Sequence, residues 1–184
     1  MSSKARLTGT GLPTQQREAT VNLREVQAPL KERYKQEPDA ARITLRAEAT
    51  QDTPVSCSVD LGRATYAAQA HAGVGGAGTG ACSGDLLLGA LSACAQITCQ
   101  MVAAAAGIPV GSLHVAVEGD LDLRGTLGVS RDVPVGFERI RVRFEVDAPN
   151  SDEREIARLR RLTEQYCVVM QTLLSPPAIE VTWS

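Results

Sequence analysis

One segment, residues 83–106 (SGDLLLGALSACAQITCQMVAAAA), constrains this chain more than any other. It carries one acid, no base and no proline; the glycine-rich stretch HAGVGGAGTG precedes it, and Gly107-Ile108-Pro109 follows. The pattern reads as one helix that stops at Gly107. Ser83 is the expected N-cap and Asp85 lies in the first turn, where the helix dipole favours an acid. Ser92, Gln96, Thr98 and Gln100 interrupt the apolar run, which makes it a poor membrane span and a good buried helix. Whatever packs on it must fit small side chains. With twenty-five Ala and sixteen Gly against six aromatic residues, the interior is expected to be close-packed and aliphatic, Ala letting helices approach one another.

The 184 residues point to one domain. Apolar and charged fractions of 43% and 22% set disordered, collagen-like and coiled-coil classes aside. Net charge is −2, with bases interleaved among acids, which disfavours a nucleic-acid footprint, and so few rings leave no platform for stacking bases. The first forty residues are polar and charged, with no apolar run of signal-peptide type; a cytoplasmic protein without membrane insertion is expected. Residues 1–40 read as an extension, helical in part around 15–35, and 41–184 as the domain.

Within that domain, residues 42–49 alternate, with Ile43, Leu45, Ala47 and Ala49 on one face. After a turn at 51–54, residues 55–61 alternate again and complete a hairpin; a weaker third strand runs from Gly62 through Tyr66 to Ala70. Beyond the helix, residues 113–123 and 137–146 read as two long strands separated by a Gly- and Pro-rich loop. A second helix is expected from Asn150, spaced from Glu153 as in a capping box, to about Leu174, and a short strand over 179–183. The order β-β-β-α-β-β-α-β argues an α+β fold with antiparallel sheets.

Common catalytic signatures are missing: no HExxH, CxxC, GxSxG or P-loop occurs. His71, beside the glycine loop, and His114, on an outward strand face, cannot make a metal site by themselves. Attention passes to the five cysteines, which in a reducing compartment are core fillers, ligands or reactive thiols. Cys94 shares helical spacing with Leu87, Leu91, Thr98 and Met101, and Cys167 with Ile156, Leu159, Thr163, Met170 and Leu174. If the two helices bury these faces against one another, the sulfurs can meet. On spacing alone, two buried cysteines serving as small hydrophobes is the default reading. Cys57 and Cys99 read as packing, while Cys82 lies just before the helix beside the glycine loop.

The stretch GTGACSGDLLLGALSACAQITCQMVAAAAGIPV, followed later by LTEQYCVVMQTLLSPP, resembles the OsmC/Ohr family of peroxide-defence proteins. The wording is closer to the general OsmC-like branch than to the organic hydroperoxide resistance branch. The resemblance covers about residues 41–184. It implies an intertwined α+β homodimer with two long central helices carrying the cysteines, and a thiol peroxidase acting on organic hydroperoxides and, less well, hydrogen peroxide. Cys94 would be the peroxidatic thiol and Cys167 the resolving one; no bound cofactor is implied, only an external thiol or dithiol, of lipoyl type among others. In the hydroperoxide resistance branch an early arginine and a glutamate near the start of the helix lower the thiol pKa. Here Gly84 stands at that glutamate's position and Asp85 is the nearest acid. Arg46 and Arg63 are the candidate arginines, with His71 as a further supporting group and Cys82 as an alternative thiol partner.

Cys94 lies roughly 15 Å inside its helix, too far for the dipole to act on it. A neighbouring cation is therefore expected. A non-catalytic dimeric module that holds a small apolar ligand between its helices is the alternative reading.

Overall fold

The computed structural model describes residues 23–45, 47–53, 56–62 and 64–183. Its central element is the long helix α2, Ser83–Ala106, with the ends expected from sequence. Before it come helix α1, Leu23–Gln36, and a three-stranded antiparallel sheet of β1, Glu48–Thr53, β2, Ser56–Asp60, and β3, Thr65–Gln69. After it come β4, Ser112–Asp120, the single turn α3, Leu123–Thr126, and β5, Arg139–Asp147. Helices α4, Glu153–Tyr166, and α5, Val168–Leu174, complete the described order.

Two antiparallel sheets and the helices agree with the α+β class, but several boundaries differ. The first strand begins at Glu48; residues 42–45 are extended outside any sheet, and Ile43 and Leu45 are exposed. Alternation marks a half-buried strand only if something covers its apolar face, and none of the described residues does. Gln51 and Thr53 belong to β1, and the hairpin closes between Thr53 and Ser56 rather than over 51–54. Strand β4 ends at Asp120, leaving Leu121 exposed and Leu123 in α3. The strand expected over 179–183 is not formed, and Ile179, Val181 and Trp183 stand in solvent.

The β4–β5 ribbon matches its pattern. Leu113, Val115 and Val117 pair with Val146, Phe144 and Val142 on the face turned to α2, while Glu118 and Asp120 oppose Arg141 and Arg139 on the other. Arg141 forms ion pairs with both Glu118 and Asp120. Such exposed pairs fix register more than they stabilise. The polar interruptions of α2 serve this contact: the Ser92 hydroxyl donates to the Val115 carbonyl (3.2 Å) and the Gln96 amide to the Leu113 carbonyl (3.1 Å).

By length and hydropathy alone α2 would cross a bilayer. Here its stripe Leu91, Ala95, Cys99 and Ala103, at strict i, i+4 spacing, is buried instead, packing on α4, α5 and β4. Ala95 and Ala103 keep the axes close, as the composition suggests. This stripe is not the expected one. Leu87 and Met101 are exposed, and Cys94 and Thr98 lie half-buried along its flank.

The caps differ by one or two residues. Cys82, not Ser83, is the N-cap of α2, its N–H donating to the Asp85 carboxylate at 2.9 Å. Asp152, not Asn150, caps α4 and exchanges hydrogen bonds with Glu155. More consequential is the break at Cys167. The second helix does not continue to Leu174: Cys167 has extended backbone (φ −72°, ψ 103°), ending α4 and beginning α5.

Candidate active site

That break determines the surroundings of Cys94. A helix start leaves its first N–H groups without intrahelical partners, so Val168 and Val169 have amides free to act on a neighbour. Cys94, half-buried on the flank of α2, is that neighbour. Burial pushes its thiol pKa up, but the N–H of Val169, the Cys167 thiol, the Thr98 hydroxyl and the N–H of Val168 oppose burial and together hold it below the ordinary thiol value. The Thr98 hydroxyl lies 4.0 Å from the Cys94 sulfur, one helical turn away.

Cys167 is fully buried in one cluster with Leu91, Ala95 and Val115, against which Cys94 packs. Burial pushes its pKa up, and the neighbouring Cys94 adds to the rise. The fold thus brings together the two cysteines singled out from sequence and separates their chemistry. One is half-buried with its pKa lowered; the other is enclosed with its pKa raised.

The expected cation is not what acts on Cys94: among the described residues the groups that lower its pKa are neutral donors. Arg46 and Arg63 lie outside the described residues. Asp85 caps α2, with its carboxyl held below the usual range chiefly by the Cys82 N–H. Nine residues separate it from Cys94, roughly 13 Å along the helix. His71 also has a local task, its Nδ1 accepting from the Gly73 N–H (3.0 Å) at the start of a short 3₁₀ turn, Ala72–Val74. Cys82 is half-buried beside Gly84.

Gly84 has a packing reason. A Cβ there would lie 3.3 Å from Cζ of Phe137, and one on Gly119 would lie 2.6 Å from Cε1 of the same ring. A side chain at position 84 would thus press on the Phe137 ring, which would have to give by a few tenths of an ångström. Cys99, expected to be packing, is buried in a second cluster with Ala103, Ile108 and Leu159, and burial pushes its thiol pKa up. The side chain of Cys57 lies outside the described residues.

Beside the thiol pair a cleft of about 580 Å³ opens between α1, α2 and α4. Thr98, Tyr166 and Val168 form one end, next to Cys94, and Met101, Val102 and Leu162 contribute apolar wall. Thr98 shares the helical spacing of Cys94 and was legible on that stripe, but the two valine amides were invisible in the sequence as site features. Only the helix break reveals them, and its signal, a cysteine followed by β-branched Val168-Val169, is weak.

No curated protein matches the chain. Among solved structures it is similar to an OsmC-like protein from Mycoplasma pneumoniae (21% identity, TM-score 0.61, covering 73% of this chain and 89% of that one). It is also similar to an organic hydroperoxide resistance protein OsmC from Legionella pneumophila (15%, TM-score 0.57, 73% and 92%). A third likeness is to an organic hydroperoxide resistance protein from Elizabethkingia anophelis (21%, TM-score 0.55, 74% and 91%). At these identities the likeness establishes the fold. The family model described as OsmC-like protein matches residues 76–182, more than half of the chain and the whole of the span from α2 through α5 that builds the thiol pair. The chain belongs to the OsmC-like family.

Proposed function

We propose that the protein is a thiol peroxidase that reduces organic hydroperoxides, and hydrogen peroxide less well, in oxidative or osmotic stress defence. The observation that carries this reading is the pairing of a half-buried, pKa-lowered Cys94 with a buried, pKa-raised Cys167. The Cys94 thiolate attacks the terminal oxygen of the hydroperoxide. An S–O bond forms, the O–O bond breaks, and the peroxide proton passes to the departing alkoxide, releasing an alcohol. The Cys167 thiol then attacks the Cys94 sulfenate, forming the disulfide and expelling hydroxide. An external thiol or dithiol, of lipoyl type among others, restores both thiols by exchange.

The working form is a cytoplasmic homodimer. The exposed apolar segments around Ile43 and Leu45 and around Ile179 to Trp183 support the dimer, since each reads as a strand that the described residues leave uncovered.

Thiol counting tests the chemistry. One equivalent of cumene hydroperoxide should remove two of the five thiols in the reduced wild-type chain as a Cys94–Cys167 disulfide, and Cys94→Ser should consume no peroxide. If wild type keeps every thiol while the peroxide persists, the peroxidase reading fails, and the cleft beside Cys94 supports the non-catalytic apolar-ligand module instead.

A further inference from the structure

The face of α4 that meets α2 carries one residue unlike its neighbours. Ile156, Leu159 and Thr163 follow one another at i, i+3, i+7 along that face, and Thr163 alone of them is polar. It is 2% exposed, and its hydroxyl makes no hydrogen bond with any described residue. A threonine inside a helix has a ready escape, donation to the carbonyl four residues back, and Thr172 takes it, bonding to Val168 at 2.9 Å. Thr163 does not. An unpaired buried hydroxyl costs stability that a valine of the same shape would not.

The surroundings of Thr163 include a cavity. Cys99 of α2 adjoins it, and where these two small side chains meet, the helices leave a space of about 300 Å³ that both line. The hydroxyl lies close enough to the Cys99 thiol to oppose the effect of burial on it, but a thiol is too weak a partner to satisfy a hydroxyl. The rest of the inner wall is hydrocarbon: Ile156 and Leu159 from α4, with Phe144 and Val146 from the face of β5 turned to α2. A water there needs two or more polar partners, and the inner side chains offer one hydroxyl beside a thiol. At the mouth stand the exposed Arg160 and Glu164, one charge of each sign, which together favour neither a cation nor an anion. Neither Cys94 nor Cys167 lines this space, so it is separate from the thiol pair.

We propose that this cavity is a ligand site for a small uncharged amphiphile. The ligand lays a hydrocarbon body against Phe144, Val146 and Ile156 and places one hydroxyl or carbonyl at the inner end, hydrogen-bonded to Thr163. The site stands independently of the peroxidase reading. Burial of hydrocarbon supplies most of the affinity. The hydrogen bond to a group otherwise left unpaired supplies selection for an oxygenated ligand over a pure hydrocarbon.

The test titrates the full reduced chain with 2-phenylethanol and with ethylbenzene, which differ by one hydroxyl, and follows amide NMR shifts at Cys99, Phe144, Leu159 and Thr163. Both probes should shift these amides saturably. Thr163→Val should weaken 2-phenylethanol on the order of fivefold, the scale of one hydrogen bond, and leave ethylbenzene as tight or tighter. Without ligand, Thr163→Val should unfold at a higher urea concentration than wild type, because it removes an unpaired group. Ala148→Phe, which fills the cavity from just past β5, should abolish binding of both probes and leave the Cys94 alkylation midpoint in place. Equal weakening of both probes in Thr163→Val, earlier unfolding of that variant, shifts that never saturate, or binding that survives in Ala148→Phe would each overturn the proposal.

Discussion

The thiolate of Cys94 is stabilised by neutral donors, which makes its activation sensitive to backbone rather than to a charged side chain. Val168 offers a clean probe. It is the first residue of α5, its predecessor Cys167 is extended, and its N–H has no intrahelical partner, so a proline fits there with little steric conflict. Val168→Pro should fold normally yet lose one amide acting on Cys94. Because the thiolate is the nucleophile, alkylation accelerates as pH rises through the thiol pKa. In wild type, iodoacetamide labelling of Cys94 should reach half-maximal rate below the pH expected of an ordinary cysteine. In Val168→Pro that midpoint should move up, because one of the amides that lower it is gone. Site-resolved mass spectrometry across a pH series checks this, and an unmoved midpoint would remove the amide from the account.

At the level of elements, α2 positions the site and its first turn holds α2. The Asp85 carboxylate accepts the Cys82 N–H and so satisfies one of the donors a helix start exposes. Asp85→Ala should lower the free energy of unfolding by about 1 kcal/mol in a urea titration, the usual cost of a lost cap contact. The Cys94 alkylation midpoint should stay where it is, because the carboxylate is roughly 13 Å away along the helix. A midpoint displaced as far as the stability would instead mean that Asp85 serves the thiol, as the family resemblance first suggested. The second helical region works oppositely: its function depends on an interruption. A continuous helix through Cys167 would commit the amides of Val168 and Val169 to carbonyls one turn back, leaving the Cys167 thiol and the Thr98 hydroxyl as the groups that offset burial of Cys94.

For the whole molecule, the segments that read as strands but are not strands carry the information. Ile43 and Leu45 at one end and Ile179, Val181 and Trp183 at the other retain strand-like alternation without a sheet, and Trp183 is 92% exposed. A second copy that adds strands to them would satisfy the backbone and cover the apolar faces together. Sedimentation should therefore give a dimer, and truncation after residue 178 should give a monomer. Trp183 is the chain's single tryptophan, so its emission reports directly. It should lie to the blue of the denatured chain in the dimer and shift red on dilution; a monomer with red emission at all concentrations would refute the dimer.

Much was legible from the one-dimensional pattern because it depends on neighbours in sequence. The ends of α2, the alternation of β4 and β5 and the acidic first turn of α4 follow from local periodicity, capping and glycine geometry. The two cysteines were legible through the motif that surrounds each. The buried stripe of α2 was not, since Leu87, Leu91, Cys94 and Thr98 and the observed Leu91, Ala95, Cys99 and Ala103 are both helical spacings, and only the direction from which α4 and β4 arrive selects one. Nor was the origin of the low Cys94 pKa. Val168 and Val169, 74 and 75 positions beyond Cys94 in sequence, contribute to it through backbone amides that any residue type but proline possesses and that composition therefore cannot mark. Local chemistry along the chain determined which elements form and which thiols stand out. Tertiary packing decided that Cys94 lies at the edge of the core rather than inside it, that the helix breaks at Cys167, and that Cys99 and Thr163 share one cavity, because each is a matter of where distant segments meet.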